Sequence, residues 1–307
     1  MSTMVTGIPK VFRQRYASLV DDPEAFFSCL GSMQPRSFRV NTLKSGRKHV
    51  VERFEGYGFE IKQVPWYRDA FVSAEPDVGS TLEHFTGEIY MQELVSMLPP
   101  VVLRKDLMKA KNVLDGCAAP GSKATQMAAI MGNMGLIVAN DVSYSRIKAL
   151  KFNQEKTGAA NMVITNLDLR NFPQHNFDIV LLDAPCSAEG TIRKSCGISE
   201  MWSERHIKKL SSLQKQLIVK AFDLMSPGGL MVYSTCTFAP EENESVVNHL
   251  VEKRPARLEE IDVPGFRLSD PLQEWRGETF SEKIKNCIRV WPHHNNTGGF
   301  FMARVGK

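Results

Sequence analysis

From residue 112 onward the chain repeats a strand, a glycine-containing loop and a helix, and this alternation restricts the possible folds more than any other feature. Five apolar runs bounded by polar or glycine-containing turns are predicted strands: 112–115, 136–139, 162–164, 177–182 and 230–233. The segments 122–131 and 143–156 between the first three runs are predicted helices. Because parallel strands need such crossovers, the pattern predicts an α/β domain with a mainly parallel sheet and helices on both faces.

The first 86 residues follow a different pattern, which predicts a separate unit at 1–86 and an α/β domain at 87–307. Apolar residues between Val11 and Leu19 recur at near-helical spacing, and Asp21-Asp22-Pro23 is a typical start for a second helix. Between residues 37 and 72, two strand-like segments flank a helix-like segment, so a small α+β unit is expected. Near the other end, 287–291 and 299–303 are predicted to form an antiparallel hairpin at the edge of the sheet.

Composition is that of a soluble cytoplasmic protein. With 307 residues and 43% hydrophobic content, the chain can bury a full α/β core beside a smaller unit. It contains no apolar run of 18 residues, and Met1–Met4 does not resemble the start of a signal peptide, so no membrane segment or export is expected. The cysteines, Cys196 among them, are scattered without C-x-x-C pairs, which favours reduced thiols and no metal site.

The positive charge is concentrated in two regions of the chain. Net charge is +4, but residues 25–51 contain no acidic side chain while they include Arg39 and Lys44, and Arg193 and Lys194 begin a second basic cluster. Such clusters suit a phosphate backbone, although an ordinary solvated surface explains them equally well.

Three predicted strands end in loops that carry chemically useful side chains. Residues 115–123 are Asp-Gly-Cys-Ala-Ala-Pro-Gly-Ser-Lys, residues 183–187 are Asp-Ala-Pro-Cys-Ser, and residues 234–237 are Ser-Thr-Cys-Thr. The carboxyl ends of strands in an open α/β sheet face a common crevice where ligands bind. The loops are therefore expected to form one site with two thiols, a carboxylate and a cofactor loop, which is typical of an enzyme.

The glycine loop at 115–123 narrows the choice of cofactor. It lacks the G-x-G-x-x-G of a dinucleotide site, and as a phosphate loop it fails because Lys123 is displaced by one position and Ala124 replaces the required hydroxyl. S-adenosylmethionine is the remaining candidate. Asp141 at the next strand end can accept hydrogen bonds from a ribose diol, and Asp168 after the third can bind an adenine amino group. Each aspartate alone is more often a helix cap or loop residue.

Together with Pro240-Glu-Glu-Asn-Glu244, these motifs resemble the NSUN/RsmB family of RNA 5-methylcytosine methyltransferases. Residues 39–44 look like the N-terminal signature of the family and 293–301 like its C-terminal signature. The resemblance implies a Rossmann-like S-adenosylmethionine-dependent methyltransferase fold with a small N-terminal RRM-like RNA-binding unit. Two departures, Ala124 and Ala188, stand where threonine and glycine are frequent.

The resemblance also implies roles for individual residues. Cofactor contacts or pocket-lining positions are implied for Cys117, Ala118, Ala119, Pro120, Gly121, Ser122, Lys123, Asp141, Arg146, Asp168 and Asp183. Cys236, Cys186 and Asp183 would be catalytic. The candidate RNA contacts are Arg39, Lys44, Arg193 and Lys194. His293 and His294 suggest a metal or acid-base role, but adjacent side chains of an extended segment point apart, which favours a structural or RNA-contacting role.

Cytosine C5 is too electron-poor to attack a methyl sulfonium, so a nucleophile must first add at C6. Either Cys186 or Cys236 could do this, since both follow strands that face the same crevice. The DNA cytosine methylases suggest Cys186, whereas the RNA family that this chain resembles suggests Cys236 as nucleophile and Cys186 in adduct release. Asp183 would supply or share a proton at N3. Buried inert thiols are the alternative interpretation.

The expected function is tRNA cytosine-5 methylation by a cytoplasmic monomer, since a compact chain resembles the tRNA-modifying members. rRNA methylation is an alternative, as is a catalytically idle RNA-binding or assembly protein. DNA cytosine methylation is less favoured because a large target-recognition insert is absent from the sequence. A cytosine inside a helix is inaccessible, so the base must come from a loop or be extracted.

Overall fold

The computed structural model describes residues 8–195, 197–200 and 202–307, so Met1–Met4 and Cys196 lie outside it. Its helices are α1 Lys10–Ala17, α2 Pro23–Leu30, α3 Arg47–Gly56, α4 Leu82–Thr86, α5 Leu94–Val102, α6 Arg104–Leu107, α7 Ser122–Met131, α8 Tyr144–Thr157, α9 Gly197–Glu200, α10 Glu204–Asp223, α11 Glu244–Lys253 and α12 Pro292–Asn295. Its strands are β1 Arg36–Val40, β2 Ile61–Gln63, β3 Ala70–Ser73, β4 Ile89–Met91, β5 Asn112–Asp115, β6 Leu136–Asn140, β7 Met162–Thr165, β8 Phe177–Asp183, β9 Met225–Thr235, β10 Arg257–Glu259, β11 Glu274–Trp275, β12 Glu278–Thr279, β13 Ile288–Val290 and β14 Phe300–Gly306.

The N-terminal unit is a four-stranded antiparallel sheet in the order β2-β3-β1-β4, with α3 and α4 as its crossovers. This β-α-β-β-α-β arrangement is the RRM-like topology predicted from the sequence. Its core contains Phe38, Val50, Phe54 and Phe71, and the rings of Phe38 and Phe71 stack with centroids 5.5 Å apart. Burial of these side chains holds α3 against the sheet.

The N-terminal sheet extends past residue 86. β4 pairs with β1 in the register Phe38 to Met91 and Val40 to Ile89. A boundary at 86 would separate this strand from its sheet, so we propose a boundary after Met91 instead. The sequence pattern did not indicate it because β4 has only three residues and follows the short helix α4.

The unit that follows has the predicted α/β architecture. Its main sheet has the order β10-β14-β9-β8-β5-β6-β7, with β13 also paired to β14. The strands β5 to β9 are parallel to their neighbours within this group, and β14 is antiparallel to β9. Separate hydrophobic clusters include side chains from opposite sides of the strands, as a sheet covered on both faces requires.

The predicted C-terminal hairpin is present at the edge of the sheet. β13 and β14 pair antiparallel, β14 pairs with β9 on its inner side, and β13 and β10 share its outer side. Because strands cover both sides of β14, six of its seven residues are buried. The connection is the helical turn α12, which Pro292 begins at the position where proline is favoured.

Within the described part of the chain, no helix has both the length and the apolar character needed to cross a membrane.

Candidate active site

The loops that follow β5, β8 and β9 meet at one edge of the catalytic sheet. This is the arrangement expected from three parallel neighbours whose carboxyl ends point the same way. Cys186 follows β8 and Cys236 follows β9, and their Sγ atoms lie 3.4 Å apart. The two thiols singled out by the sequence motifs are therefore in direct contact.

Asp183, at the end of β8, accepts hydrogen bonds from side chains of two other elements. Lys123 of α7 donates to its Oδ2 at 2.7 Å, and Ser234 of β9 donates to its Oδ1 at 2.8 Å. The Lys123 ammonium also donates to Ser96 Oγ at 3.0 Å. The negative charge of Asp183 raises the pKa of Lys123 although burial opposes it, so Lys123 is a cation beside the two thiols.

Two cavities meet at this group. The larger, about 420 Å³, is lined by the loop after β5 and by Asp141, Asp168 and the 183–186 segment. The smaller, about 320 Å³, is lined by Lys123 and Lys194 and by residues of the N-terminal region and of 298–300. Asp183 and Cys236 line both cavities, whereas Cys186 lines the larger one. A group in either cavity can therefore reach Cys236.

The glycine loop is fixed by backbone geometry and by Asp141. Gly121 has φ +105°, and a Cβ there would lie 2.8 Å from Leu150, so both the turn and the close packing require glycine. The Ala119 amide donates to Asp141 Oδ2 at 3.1 Å, and Arg146 pairs with the same carboxylate at 3.3 Å. Arg146 also donates to the Ala119 carbonyl.

The predicted cofactor residues divide between the two cavities. The larger cavity is lined by Cys117, Ala119, Asp141, Arg146, Asp168 and Asp183. Pro120, Ser122, Lys123 and Asp183 line the smaller one. Ala118 and Gly121 form the turn without lining either cavity. Lys123, predicted as a cofactor contact, thus faces the smaller cavity.

The larger cavity fits a cationic donor. Asp115, which precedes the lining residue Gly116, is buried, and neither of its carboxylate oxygens has a hydrogen-bond partner among the described residues. Burial, and then the charge of Asp183, raises the pKa of Asp115 to about 7. Asp141 and Asp168 add two further carboxylates, the latter paired with Arg170 at 2.5 Å. This acidic surround matches a sulfonium with an attached amino acid, and a ribose diol can bond to a carboxylate.

The protonation of Cys186 depends on its neighbours. Its hydrogen bond with Cys236, followed by burial, raises the pKa of Cys186 well above the usual value. Cys186 is therefore a thiol at neutral pH. Burial likewise raises the pKa of Cys117, so this loop cysteine is not a nucleophile.

Two of the four predicted RNA contacts are interior residues. Arg39 is fully buried and donates to Gln92 and Thr125, which ties β1 to α7. Arg193 is also buried and donates to backbone carbonyls of Met33 and Thr297. The prediction of surface contacts was wrong for both, because charge alone does not reveal burial.

Lys44 and Lys194 have exposed side chains, as an RNA contact requires. Lys194 lines the smaller cavity together with Lys123 and Cys236. Lys44 lies at the N-terminal unit and donates to the Thr86 carbonyl at 2.8 Å.

The two histidines do not point apart. Both lie in the helical turn α12, and each ring contacts Asp21 through Nε2, at 2.9 Å for His293 and for His294. Arg267 pairs with the same carboxylate at 2.9 Å. The cluster joins the α1–α2 connection to the C-terminal motif, which supports the structural role. The expectation of diverging side chains was wrong because the segment is helical.

Sequence reasoning missed several residues behind the reacting groups. Ser96 and Ser234 complete the shell of Lys123 and Asp183, and Glu189 and Glu242 lie buried behind the cysteine loops. Ser234 belongs to the quoted 234–237 motif and Glu242 to the quoted 240–244 motif, so both had a usable indication. Nothing in the pattern around Ser96 and Glu189 indicates a functional position.

The fold and the site define an S-adenosylmethionine-dependent methyltransferase. A family model described as 16S rRNA methyltransferase RsmB/F matches residues 102–306, and one for the N-terminal domain of 16S rRNA methyltransferase RsmF matches residues 8–94. The chain belongs to the RsmB/F family.

Individual relatives agree with this assignment. A tRNA (cytosine(49)-C(5))-methyltransferase of Pyrococcus abyssi (strain GE5 / Orsay) is 40% identical over 305 residues, covering 98% of this chain and 96% of that protein. The ribosomal RNA small subunit methyltransferase F of Vibrio atlanticus (strain LGP32) is 37% identical; the match covers 98% of this chain but 64% of that protein. A crystal structure of a methyltransferase homologue from Pyrococcus horikoshii superposes with a TM-score of 0.85 at 35% identity, covering 97% and 95% of the two chains.

Proposed function

We propose that the protein methylates C5 of a cytosine in tRNA, with S-adenosylmethionine as the donor and a covalent cysteine–C6 adduct as the intermediate. The observation that carries this proposal is the position of Cys236. Its thiol lies on the boundary of both cavities, in contact with Cys186, while the Lys123–Asp183 pair borders the same space.

The larger cavity would hold the methyl donor and the smaller one the target base. The donor supplies a methyl group on a positively charged sulfur. Cys236 as thiolate adds to C6 of the base, forming the S–C6 bond and placing electron density on C5, which then takes the methyl group. The Lys123 ammonium would offset the negative charge that builds on the ring during this attack, and Asp183 would supply or share a proton at N3.

Release requires loss of the C5 proton and cleavage of the S–C6 bond, which returns the Cys236 thiolate. Cys186 is suited to assist here, because its sulfur contacts Cys236 and lines the cavity on the donor side. No metal is needed for these steps, and all of the proposed groups come from one chain, which is consistent with a monomer. The scattered cysteines favour a reducing, cytoplasmic setting.

tRNA is proposed over rRNA because the Pyrococcus abyssi relative, named as a tRNA methyltransferase, is 40% identical, against 37% for the Vibrio atlanticus rRNA enzyme. Lys44 and Lys194 are the proposed RNA contacts. A flipped base in the smaller cavity would place its backbone near Lys194, where an exposed ammonium can pair with a phosphate.

The test is incubation of the purified protein and radiolabelled S-adenosylmethionine with unmodified tRNA transcripts and, separately, small-subunit rRNA fragments. Bisulfite sequencing then maps any 5-methylcytosine. The proposal predicts one or few sites in tRNA and none after Cys236→Ala. Methylation confined to rRNA would reject the tRNA assignment, and RNA binding without turnover on either substrate would favour the idle RNA-binding alternative.

A further inference from the structure

Two buried carboxylates, Glu189 and Glu242, lie behind the catalytic loops, and the chemistry proposed above does not use them. Both are 0% exposed. A carboxylate in the interior is costly unless several donors surround it, so each is expected to organise the groups around it. Glu189 accepts hydrogen bonds from the loop of Cys236, and Glu242 accepts them from the loop of Cys186.

Glu189 holds the residues that follow Cys236. Its Oε2 accepts from Thr237 Oγ1 at 2.7 Å and from the Phe238 amide at 3.0 Å. The next residue, Gly190, donates its amide to the Cys236 carbonyl at 2.8 Å. Residues 189–190 therefore form hydrogen bonds with three consecutive residues of the Cys236 loop, 236–238.

The opposite side of Glu189 is anchored in the N-terminal region and in the segment before α10. Tyr16 of α1 donates to the carboxylate at 2.7 Å, and the Trp202 indole donates to Oε1. Two of these donors, the Trp202 indole and the Phe238 amide, are N–H groups that cannot become acceptors. Both oxygens of Glu189 must therefore remain acceptors.

Glu242 holds the loop of Cys186 in an equivalent way. The Ser187 amide donates to Oε2 at 3.0 Å and the Ser187 hydroxyl to Oε1. Gln214 of α10 donates to Oε2 and to the Pro185 carbonyl, both at 2.8 Å. The residues on both sides of Cys186 are thus anchored through Glu242 and its partner. In contrast to the oxygens of Glu189, Oε1 of Glu242 contacts only hydroxyl groups among the described residues, and a hydroxyl can accept a hydrogen bond as well as donate one.

We propose that Glu189 and Glu242 are positioning residues with separate tasks: Glu189 holds Cys236 for attack at C6, and Glu242 holds Cys186 for release of the adduct. The inference rests on the covalent mechanism proposed above. The hydroxyl oxygens of Ser187 and Thr237 lie 2.7 Å apart, so the two loops are in direct contact.

The contrast in donors provides matched variants. In Glu242→Gln the amide nitrogen can replace Oε1, because the Ser187 hydroxyl can turn to accept from it, and the amide oxygen keeps the two N–H donors. In Glu189→Gln, by contrast, the new NH₂ group faces an N–H donor whichever way it is oriented. The same chemical change is therefore tolerated at 242 and disruptive at 189.

For Glu242 the measurements are single-turnover methyl transfer, multiple-turnover rate and covalent RNA–protein adduct on denaturing gels, with the tRNA substrate found above. Glu242→Ala is expected to keep single-turnover transfer within about fivefold while multiple turnover falls at least tenfold and adduct accumulates. Glu242→Gln should restore turnover to within threefold. If Glu242→Ala folds poorly, Ser187→Ala removes one of the same hydrogen bonds and should accumulate adduct more weakly.

For Glu189 the expected result is the opposite. Glu189→Gln should lower both single-turnover transfer and adduct formation at least tenfold, with no trapped adduct and KM for RNA within threefold. Thr237→Val removes a single donor and should show the same loss to a smaller extent. Circular dichroism and Tm provide the fraction of folded protein for every variant, and rates are compared per folded molecule.

The inference is overturned if Glu242→Ala and Glu189→Gln lose adduct formation and turnover in equal proportion, or if both resemble the wild type. If the proposed function itself is wrong, the result is distinguishable, because the wild type would then form neither adduct nor 5-methylcytosine.

Discussion

At the scale of single residues, the Lys123–Asp183 pair is the contact on which the electrostatics of the site depend. Lys123→Met removes a buried ammonium and leaves the Asp183 carboxylate about one-third exposed, with the Ser234 hydroxyl as its remaining donor. Because water can reach that carboxylate, the unfolding free energy should fall by only about 1 kcal/mol. Activity should fall at least a hundredfold.

Urea denaturation and initial-rate assays measure the two effects of Lys123→Met separately. The matched control is Lys151→Met, whose ammonium is exposed on α8 and should change neither quantity. An active Lys123→Met variant would contradict the role assigned to this pair.

A second prediction at this scale concerns pH. The folded pKa of Asp115, about 7, is above the ordinary value of 3.8. The folded state therefore favours the protonated carboxyl, and its contribution to stability is complete below pH 4 and lost as pH rises through 7. Asp115→Asn should raise the unfolding free energy at pH 8, on the order of 3 kcal/mol, and have little effect at pH 4.

Urea midpoints of wild type and Asp115→Asn at pH 4 and pH 8 test this. The nearby groups that share the field are Asp183, Asp141 and Lys123, and they are unchanged in the variant. If the difference in unfolding free energy between wild type and Asp115→Asn does not grow from pH 4 to pH 8, the raised pKa of Asp115 is contradicted.

The sequence predicted which side chains meet in the site but not their surroundings. Cys186, Cys236 and Asp183 were identifiable because each ends or follows a strand, and neighbouring strand ends must converge. Arg39 and Arg193 were misassigned because their charge suggested a surface, whereas their hydrogen bonds bury them. Glu189 could not be found at all, since its partners are distant in the chain and adopt no sequence pattern.

At the scale of elements, the short 3-10 helix 189–191 packs closely against the residue that precedes β14. The Gly299 amide donates to the Gly190 carbonyl at 2.9 Å, and a Cβ on Gly190 would lie 2.2 Å from the Gly299 carbonyl oxygen. Gly190→Ala must therefore displace backbone, and it should cost about 2 kcal/mol or more and lower activity at least tenfold.

Gly56→Ala is the control, because nothing lies within 4 Å of a Cβ at that helical position. It should raise stability by roughly 0.5 kcal/mol, the usual gain for alanine over glycine in a helix. Thermal unfolding and methyl transfer assays compare the two variants. Equal effects at both positions would show that the contact between 190 and 299 is unimportant.

Whether a segment is a helix or a strand was predictable where its periodic pattern is long. Which strands pair with each other was predictable only in part. The helix 122–131 has the predicted bounds, since Gly121 and Gly132 mark its ends. The hairpin of β13 and β14 was predicted at the edge of the sheet and lies there, but the sequence did not indicate that β14 also pairs with β9 and β10. Its apolar side chains on both faces fit this covered position.

At the scale of the whole molecule, Arg39 joins the RRM-like unit to the catalytic unit through Thr125. Arg39→Ala should lower the unfolding free energy by about 2 kcal/mol or more, because the hydrogen-bond acceptors of Gln92 and Thr125 lose their donor in a buried setting. Lys194→Ala should leave stability unchanged and raise the KM for RNA several-fold, with a shallower dependence on salt.

Denaturation curves and RNA binding at several salt concentrations separate these effects. A Lys194→Ala variant with wild-type binding and salt dependence would remove it from the RNA surface. If Lys44→Ala also shows wild-type binding and salt dependence, no proposed RNA contact remains in the N-terminal unit.

The account depends on which sulfur bonds to the pyrimidine, and trapping the RNA–protein adduct in the two cysteine variants tests this most directly. After incubation with tRNA and S-adenosylmethionine, denaturing gels should show a stable adduct for Cys186→Ala and none for Cys236→Ala. Mass spectrometry of the nuclease-treated adduct should place the modified nucleotide on Cys236. An adduct trapped in Cys236→Ala and carried by Cys186 would contradict the account.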